Sequence, residues 1–288
     1  MANLKEIRNR IASVKSTMQI TSAMKMVSAA KLKRAQDAIT AMRPYADKLT
    51  ELLQNLSANL DVDGGSDYAE AREVKKVLVV SISSNRGLCG AFNSNIVKQS
   101  VSLVQGEYGN KEVDFVTIGK KADDLLRKRY TVVSNHNHIF DNLTFEATSE
   151  IAEHLMKLFT EGSYDRILLV YNQFKNAATQ IVMAEQFLPI EPVKETNQQP
   201  GGDYIYEPSE AEIVEQLIPK SLKTQLFKAI RDSFASEHGA RMTAMHKATD
   251  NASELKDQLT LTYNKARQAS ITNEILEIVG GAEALANG

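Results

Sequence analysis

The sequence predicts an α/β class chain with additional long helices. An α/β layer domain with a largely parallel sheet is inserted between N- and C-terminal helices that pair as an antiparallel coiled coil. Three observations predict it. Apolar residues recur at alternating three- and four-residue steps from Leu4 to Leu60. Strand and helix patterns then alternate between residues 75 and 195. Finally, good helix formers run without a proline from Lys220 to Leu285. The expected segments are an N-terminal coiled-coil helix over 1–60, an α/β domain over 75–195 and a C-terminal helix over 208–288 that pairs with the first.

The first helix opens with Asn3 and Glu6, which resemble a capping box with Asn in the usual Ser/Thr place. Its seam reads Leu4, Ile7, Ile11, Val14, Met18, then Leu32, Ala35, Ile39, Met42, Ala46, Leu49, Leu53, Leu56 and Leu60. Between these two runs the seam positions fall on Thr21, Lys25 and Ser28, while apolar residues shift to Met24, Met26 and Val27. That interruption is expected to turn a face towards another protein. Pro44 removes one backbone hydrogen bond and predicts a bend rather than an end, because the seam keeps phase across it.

The net charge of −2 over 288 residues hides an asymmetry. From Met1 to Arg34 the basic residues are Lys5, Arg8, Arg10, Lys15, Lys25, Lys31, Lys33 and Arg34, against Glu6 alone. Such a helix calls for an acidic partner. A pI near 6.3 and the lack of a recognised motif argue against nucleic acid. The single Cys89 excludes an internal disulfide and fits a reducing compartment. No apolar run reaches the roughly 18 residues of a membrane span, and the N-terminus reads as mature helix rather than a targeting segment.

In the middle, 75–84 reads as a buried strand, 85–93 as a turn and 91–105 as a helix. A strand over 113–119, a helix beginning at Lys120 and a short strand in "YTVVSN" follow. Residues 145–162 form a helix with Ile151, Leu155 and Leu158 on one face, and 164–174 with 179–190 form a hairpin. "ETNQQPGGDY" (195–204) reads as a loop. The Gly-rich turn "NRGLCGAF" matches neither dinucleotide nor P-loop spacing, so no nucleotide or other cofactor is expected. Cys89 lacks a partner motif for catalysis. His136 and His138 are spaced to share a strand face, yet lack a third ligand, so no metal is expected.

The last helix, roughly 65 residues, corresponds to a rod of roughly 100 Å. Its middle carries Ala240, Ala244, Ala248 and Ala252, which permit close helix approach. Its end, with Ile271, Ile275, Leu276, Ile278 and Val279, is apolar nearly all round, a pattern that belongs to buried helices. A tip that plugs into a sleeve made by other chains is the expected reason.

The segments "IRNRIASVKSTMQITSAMKMVSAAKLKRAQ", "NRGLCGAFN", "YIYEP" (204–208), "SEHGARMTAMHKATDNA" and "LTLTYNKARQASITNEILEIVGGAEAL" together resemble the gamma subunit of F-type ATP synthases, the rotating central stalk. They touch both ends and the middle of the chain. The resemblance implies a terminal-helix coiled coil carrying a Rossmann-like domain, a non-catalytic rotor shaft inside a hexamer of alpha and beta subunits. Its foot would rest on the c-subunit ring beside epsilon, touching membrane only indirectly, on the cytoplasmic face of a bacterial inner membrane. Carried over by motif, Met24, Lys25, Arg241, Arg267, Gln268, Thr272 and Glu274 are expected to face beta subunits, with Lys25 against an acidic lever. Ile275, Leu276, Ile278 and Val279 would form the bearing tip, and Tyr204, Tyr206 and Glu207 the c-ring foot. Ala91 stands where the family's "RGLCGGFN" has a second Gly, and Cys89 alone excludes the plastid form's thiol switch. Two other readings stay open on the residues themselves: a small-ligand α/β enzyme with a coiled-coil dimerisation arm, and a coiled-coil adaptor on anionic membrane.

Overall fold

A computed structural model describes the backbone of residues 4–59, 68, 72–190 and 210–286, and their side chains except for 43, 47, 50–59, 210–215 and 284–286. The elements are α1 (Leu4–Asn59), β1 (Lys76–Ile82), α2 (Phe92–Gln105), β2 (Glu112–Ile118), α3 (Lys120–Leu126), β3 (Val132–Asn135), a 3₁₀ turn (Asn137–Phe140), α4 (Phe145–Thr160), β4 (Arg166–Phe174), β5 (Gln180–Leu188) and α5 (Glu210–Ala286). They fall into two compact units, Ser28–Arg241 and Met1–Val27 with Met242–Gly288.

The larger unit is a layered α/β structure. Its sheet runs in the order β3-β2-β1-β4-β5. β1 pairs in parallel with β2 and β4, and β2 in parallel with β3, while β5 returns antiparallel to β4 as the expected hairpin. Strands buried on both faces take apolar residues at most positions, which is why "KVLVVSI" reads as a nearly continuous run. Leu78, Val80, Ile82, Leu169 and Tyr171 point to one side, against Leu155 and Phe159 of α4 and Leu222, Leu226 and Ile230 of α5. Val77, Val79, Phe115, Leu168 and Val170 point to the other, against Ile96 of α2 and Leu126 of α3. On α4 the buried face is Ile151, Ala152, Leu155, Met156 and Phe159, with Leu158 at its margin. Gly119 follows β2 at φ +107, and a Cβ there would lie 2.2 Å from the Ser83 carbonyl oxygen; only glycine allows the two strand ends to sit this close.

His136 and His138 depart from expectation. β3 ends at Asn135, so His136 caps the 3₁₀ turn and His138 lies within it. Their rings sit edge to face with centroids 6.0 Å apart rather than side by side on a strand. Burial is the first cause, and His138 a further one, of a lowered pKa at His136. Among the described residues no group of three or more His, Cys, Asp or Glu side chains is arranged to hold a metal ion.

The smaller unit consists of the two helix ends. Arg8 donates to the Tyr263 hydroxyl at 2.7 Å, Thr21 bonds Thr249 at 2.8 Å, and Lys25 lies 3.2 Å from His246. Partner numbers fall along α5 as they rise along α1, so the helices are antiparallel. The seam of α1 keeps step through the stretch where it was expected to fail. Thr21 and Ser28 are buried and Lys25 half-buried, whereas Met26 and Val27 stand exposed. Polar residues hold the register here because the partner helix supplies hydrogen bonds. Further along α1, Leu32, Ala35, Ile39, Ala46 and Leu49 are buried; the side chains of Leu53, Leu56 and Leu60 lie outside the described residues.

Both long helices run through a proline. α1 continues through Pro44 to Asn59. α5 begins at Glu210 and takes in Pro219. A proline costs the helix one hydrogen bond, and the buried Ile218 and Leu222 on either side of Pro219 anchor α5 through that gap.

Candidate functional site

The α/β unit places its Gly-rich turn where such folds bind ligands. Chain order reverses between β1 and β4, and the turn after β1 lies at the carboxyl end of that switch point. Here the position is filled from within. Arg241, 6 % exposed, donates from Nη1 to Glu237 Oε1 at 2.6 Å, from Nη2 to the carbonyls of Arg86 (3.1 Å) and Gly87 (3.2 Å), and from Nε to Gly87 (3.3 Å). The turn thus presents carbonyl oxygens to a guanidinium, the wrong polarity for a phosphate, which needs N–H donors. Ser236 donates to the Asn172 carbonyl of β4 at 3.0 Å, and Asn172 donates to the Phe92 carbonyl at 3.3 Å, so α5 is tied to β4 and β4 to the start of α2.

The turn is rigid by its own bonds. Ser84 N and Oγ each donate to Asn93 Oδ1 at 3.0 Å, and Asn93 Nδ2 donates to Cys89 Sγ at 3.2 Å. Leu88 takes φ +61 and points its side chain to solvent, a conformation L-residues rarely adopt. Burial pushes the Cys89 thiol up, away from the thiolate that nucleophilic chemistry requires. Burial likewise raises the Glu237 carboxyl above the usual carboxylate range, and Arg241 draws it part of the way back.

Arg241 was expected to face a beta subunit. In the chain by itself it lies beneath the surface, with donors to Glu237 and the turn, and Arg86 and Leu88 of that turn are exposed.

In the helical unit, Met24 and Lys25 are half-buried, while Arg267, Gln268, Thr272 and Glu274 are exposed along α5. Thr272 returns its hydroxyl to the Gln268 carbonyl at 3.0 Å. Beyond them Ile271, Ile275, Leu276, Ile278 and Val279 are 48–71 % exposed. Tyr204, Tyr206 and Glu207 lie outside the described residues. His246 is the residue that motif reading missed: it meets Lys25 across the helices and lies 3.4 Å from Asp250 along its own. The available signal was the His246–Asp250 spacing of four, which sets both on one helix face.

Residues 3–285 match the ATP synthase family. The chain is 70 % identical over 285 residues to the ATP synthase gamma chains of Flavobacterium psychrophilum and Flavobacterium johnsoniae, covering 99 % of this chain and 99 % of each relative. It is 54 % identical over 297 residues to that of Cytophaga hutchinsonii, covering 100 % of both. Among solved structures, a chain of the Tetrahymena thermophila mitochondrial ATP synthase central stalk and c-ring is 26 % identical, with a TM-score of 0.60 over 80 % of this chain and 99 % of that one. A chain of the Euglena gracilis mitochondrial ATP synthase shares the fold, with a TM-score of 0.74, 24 % identity, and 98 % and 94 % of the two chains covered. The chain belongs to the ATP synthase gamma-chain family.

Proposed function

We infer that this chain is the central rotor shaft of an F-type ATP synthase, coupling proton- or Na⁺-driven rotation of the membrane c-ring to ATP synthesis in the alpha/beta hexamer. It is a non-catalytic subunit, and the chemistry belongs to the beta subunits. Residues 1–60 and 208–288 serve as the coiled-coil shaft and 75–195 as the domain it carries. Among the described residues no helix is long and apolar enough to cross a membrane. The chain is part of a membrane-associated assembly, and we place it on the cytoplasmic face of a bacterial inner membrane, with the c-ring and epsilon at its foot.

The observation that carries this reading is the exposed apolar end of α5. Five large aliphatic side chains in nine residues are exposed on the free chain, a patch that calls for another surface to cover it. They suit a bearing, because dispersion with an apolar wall has little directional preference. Polar handles lie beside them. Arg267 and Gln268 offer planar donors whose bonds depend on angle, Thr272 and Glu274 flank them, and Met24 with Lys25 forms a second handle from α1. Arg241 acts indirectly, by holding Arg86 and Leu88 outward. Tyr204, Tyr206 and Glu207 are assigned to the c-ring foot by motif alone.

Gentle purification from detergent-solubilised membranes tests the reading. The chain should leave the membrane with nucleotide-binding subunits and a c-ring, and the isolated chain should show no ATPase above background. A stable homodimer with its own turnover would restore the enzyme reading.

A further inference from the structure

In the helical unit a single nitrogen faces two partners that it cannot serve together. Nδ1 of His246 lies 3.2 Å from the Lys25 ammonium on α1 and 3.4 Å from Asp250 Oδ2 one turn along α5. Lys25 only donates, so it needs a lone pair on Nδ1; Asp250 as a carboxylate only accepts, so it needs a hydrogen there. A neutral ring with its proton on Nε2 therefore holds Lys25 by a charge-assisted bond. Addition of a solvent proton at Nδ1 turns that atom into a donor to Asp250 and sets two cations against each other across the helices.

We propose that His246 is a proton-responsive pin on Lys25: neutral, it holds the ammonium against α5; protonated, it turns to Asp250 and frees Lys25 for an acidic partner. His246 is thus a positioning residue. The proposal rests, for its consequence, on Lys25 being a handle for such a partner. Histidine is the side chain whose charge ordinarily changes between about pH 5 and 8. The ring and the carboxylate are both exposed, so the proton has open access to water. The charged groups facing the ring are Lys25 from α1 and Asp250 from α5, with Lys247 next to it in the chain. The next charged residue of α1 towards the N-terminus is Lys15, about 15 Å along the helix. The register is kept by the Thr21–Thr249 bond of 2.8 Å, one turn below, and by Thr249 donating to the Met245 carbonyl at 2.8 Å.

Two measurements separate the pin from its consequence. Trace acetylation of the full-length chain with acetic anhydride, read by mass spectrometry as Lys25 relative to Lys15, reports how tightly the amine is held. The ratio should be about threefold lower at pH 8 than at pH 6, the scale of one hydrogen bond. In His246→Gln, whose amide oxygen still accepts from Lys25, it should stay low at both pH values; in His246→Leu it should stay high. A wild-type ratio that is flat with pH, or unmoved by His246→Leu, overturns the pin. The second measurement is ATP synthesis by assembled complexes in vesicles at a fixed proton-motive force. His246→Gln should match wild type at pH 8 and fall about twofold below it at pH 6, as expected for an exposed ion pair. If acetylation responds while synthesis does not, the pin stands and Lys25's part in the shaft reading is what fails.

Discussion

Two lengths of α5 are apolar to a similar eye and have opposite surroundings. Between Ile218 and Arg241 the helix lies against the sheet, and Leu222, Leu226, Ala229 and Ile230 are buried with α4 beside them. Between Leu261 and Val279 residues just as large stand in water. The second length also alternates them with Arg267, Gln268 and Glu274, charged or hydrogen-bonding groups that a self-packed helix would put on one side. Apolar content alone does not decide burial; the presence of a partner does. The first length has its partner within the chain, and the second is built for one outside it.

The sharpest break of this comparison is at the end of the buried length. Removing the Arg241 side chain's charge by Arg241→Met leaves Glu237 buried without its cation and the Arg86–Gly87 carbonyls without donors. Loss of one partner of a buried pair costs about 3–5 kcal/mol, measurable by urea unfolding of the full-length chain. The loosened turn should also expose Cys89, buried in wild type, to thiol reagents that should leave wild type unmodified. Retained stability with an unreactive Cys89 would show that Arg241 does not hold the turn.

Leucine truncations compare the two lengths directly. Leu226 is 0 % exposed and Leu276 63 %. Leu226→Ala should destabilise the free chain by about 2–5 kcal/mol, whereas Leu276→Ala should fall within about 0.5 kcal/mol. In the assembled complex Leu276→Ala should lower thermal stability, since its partner surface is then present. Equal effects of the two changes in the free chain would mean that the tip packs at home.

A pH dependence follows from His238, 5 % exposed, with neither ring nitrogen hydrogen-bonded and Phe234 edge-on at 4.5 Å. Burial first, then Arg241 and Lys31, lower its pKa to about 3. Unfolded, the ring takes up a proton below about pH 6.5; folded, it resists until about pH 3. The unfolded state therefore binds more protons throughout this window, and stability falls as pH drops through it. At pH 5 the loss should be about 2 kcal/mol relative to pH 8. His238→Phe should remove that part of the acid sensitivity in urea unfolding curves, and an unchanged pH slope would contradict the assignment.

The smallest expected effect is at Gly239, where α5 crosses the β4–β5 turn. A Cβ there would lie 3.2 Å from the Cα and carbonyl oxygen of Ala177. Gly239→Ala gains about 1 kcal/mol of helix propensity and loses a similar amount to that contact, so the change in melting temperature should be near zero. Gly239→Leu has no such balance and should destabilise.

Periodicity made most of the fold legible. The heptad seam, the strand–helix alternation and the closing hairpin each leave a local pattern, and each is found in the chain. What stayed hidden was non-local. Nothing near Thr21, Lys25 or Ser28 shows that α5 supplies Thr249 and His246 opposite them, so polar seam residues read as a break. How α5 carries Pro219 was equally hidden, because the cost is offset by neighbours packed on a distant sheet. "NRGLCGAF" and "SEHGARM" were each conspicuous, yet only folding brings the Arg86 and Gly87 carbonyls to Arg241. The histidine pair misled because a spacing of two suits a strand only while the strand continues, and β3 stops at Asn135.

The central claim is that the exposed length of α5 divides its work, polar residues transmitting torque and aliphatic ones forming the bearing. It is tested by comparing Arg267→Ala/Gln268→Ala with Ile275→Ala/Ile278→Ala in complexes assembled and purified in parallel. ATP synthesis in energised vesicles is measured per assembled complex, beside the yield and thermal stability of the complex. The handle pair should lower synthesis per complex while leaving yield near wild type. The tip pair should lower yield and stability while the complexes that do form synthesise ATP at nearly the normal rate. Uncoupling by the tip changes, with loss of assembly alone from the handle changes, would contradict the division.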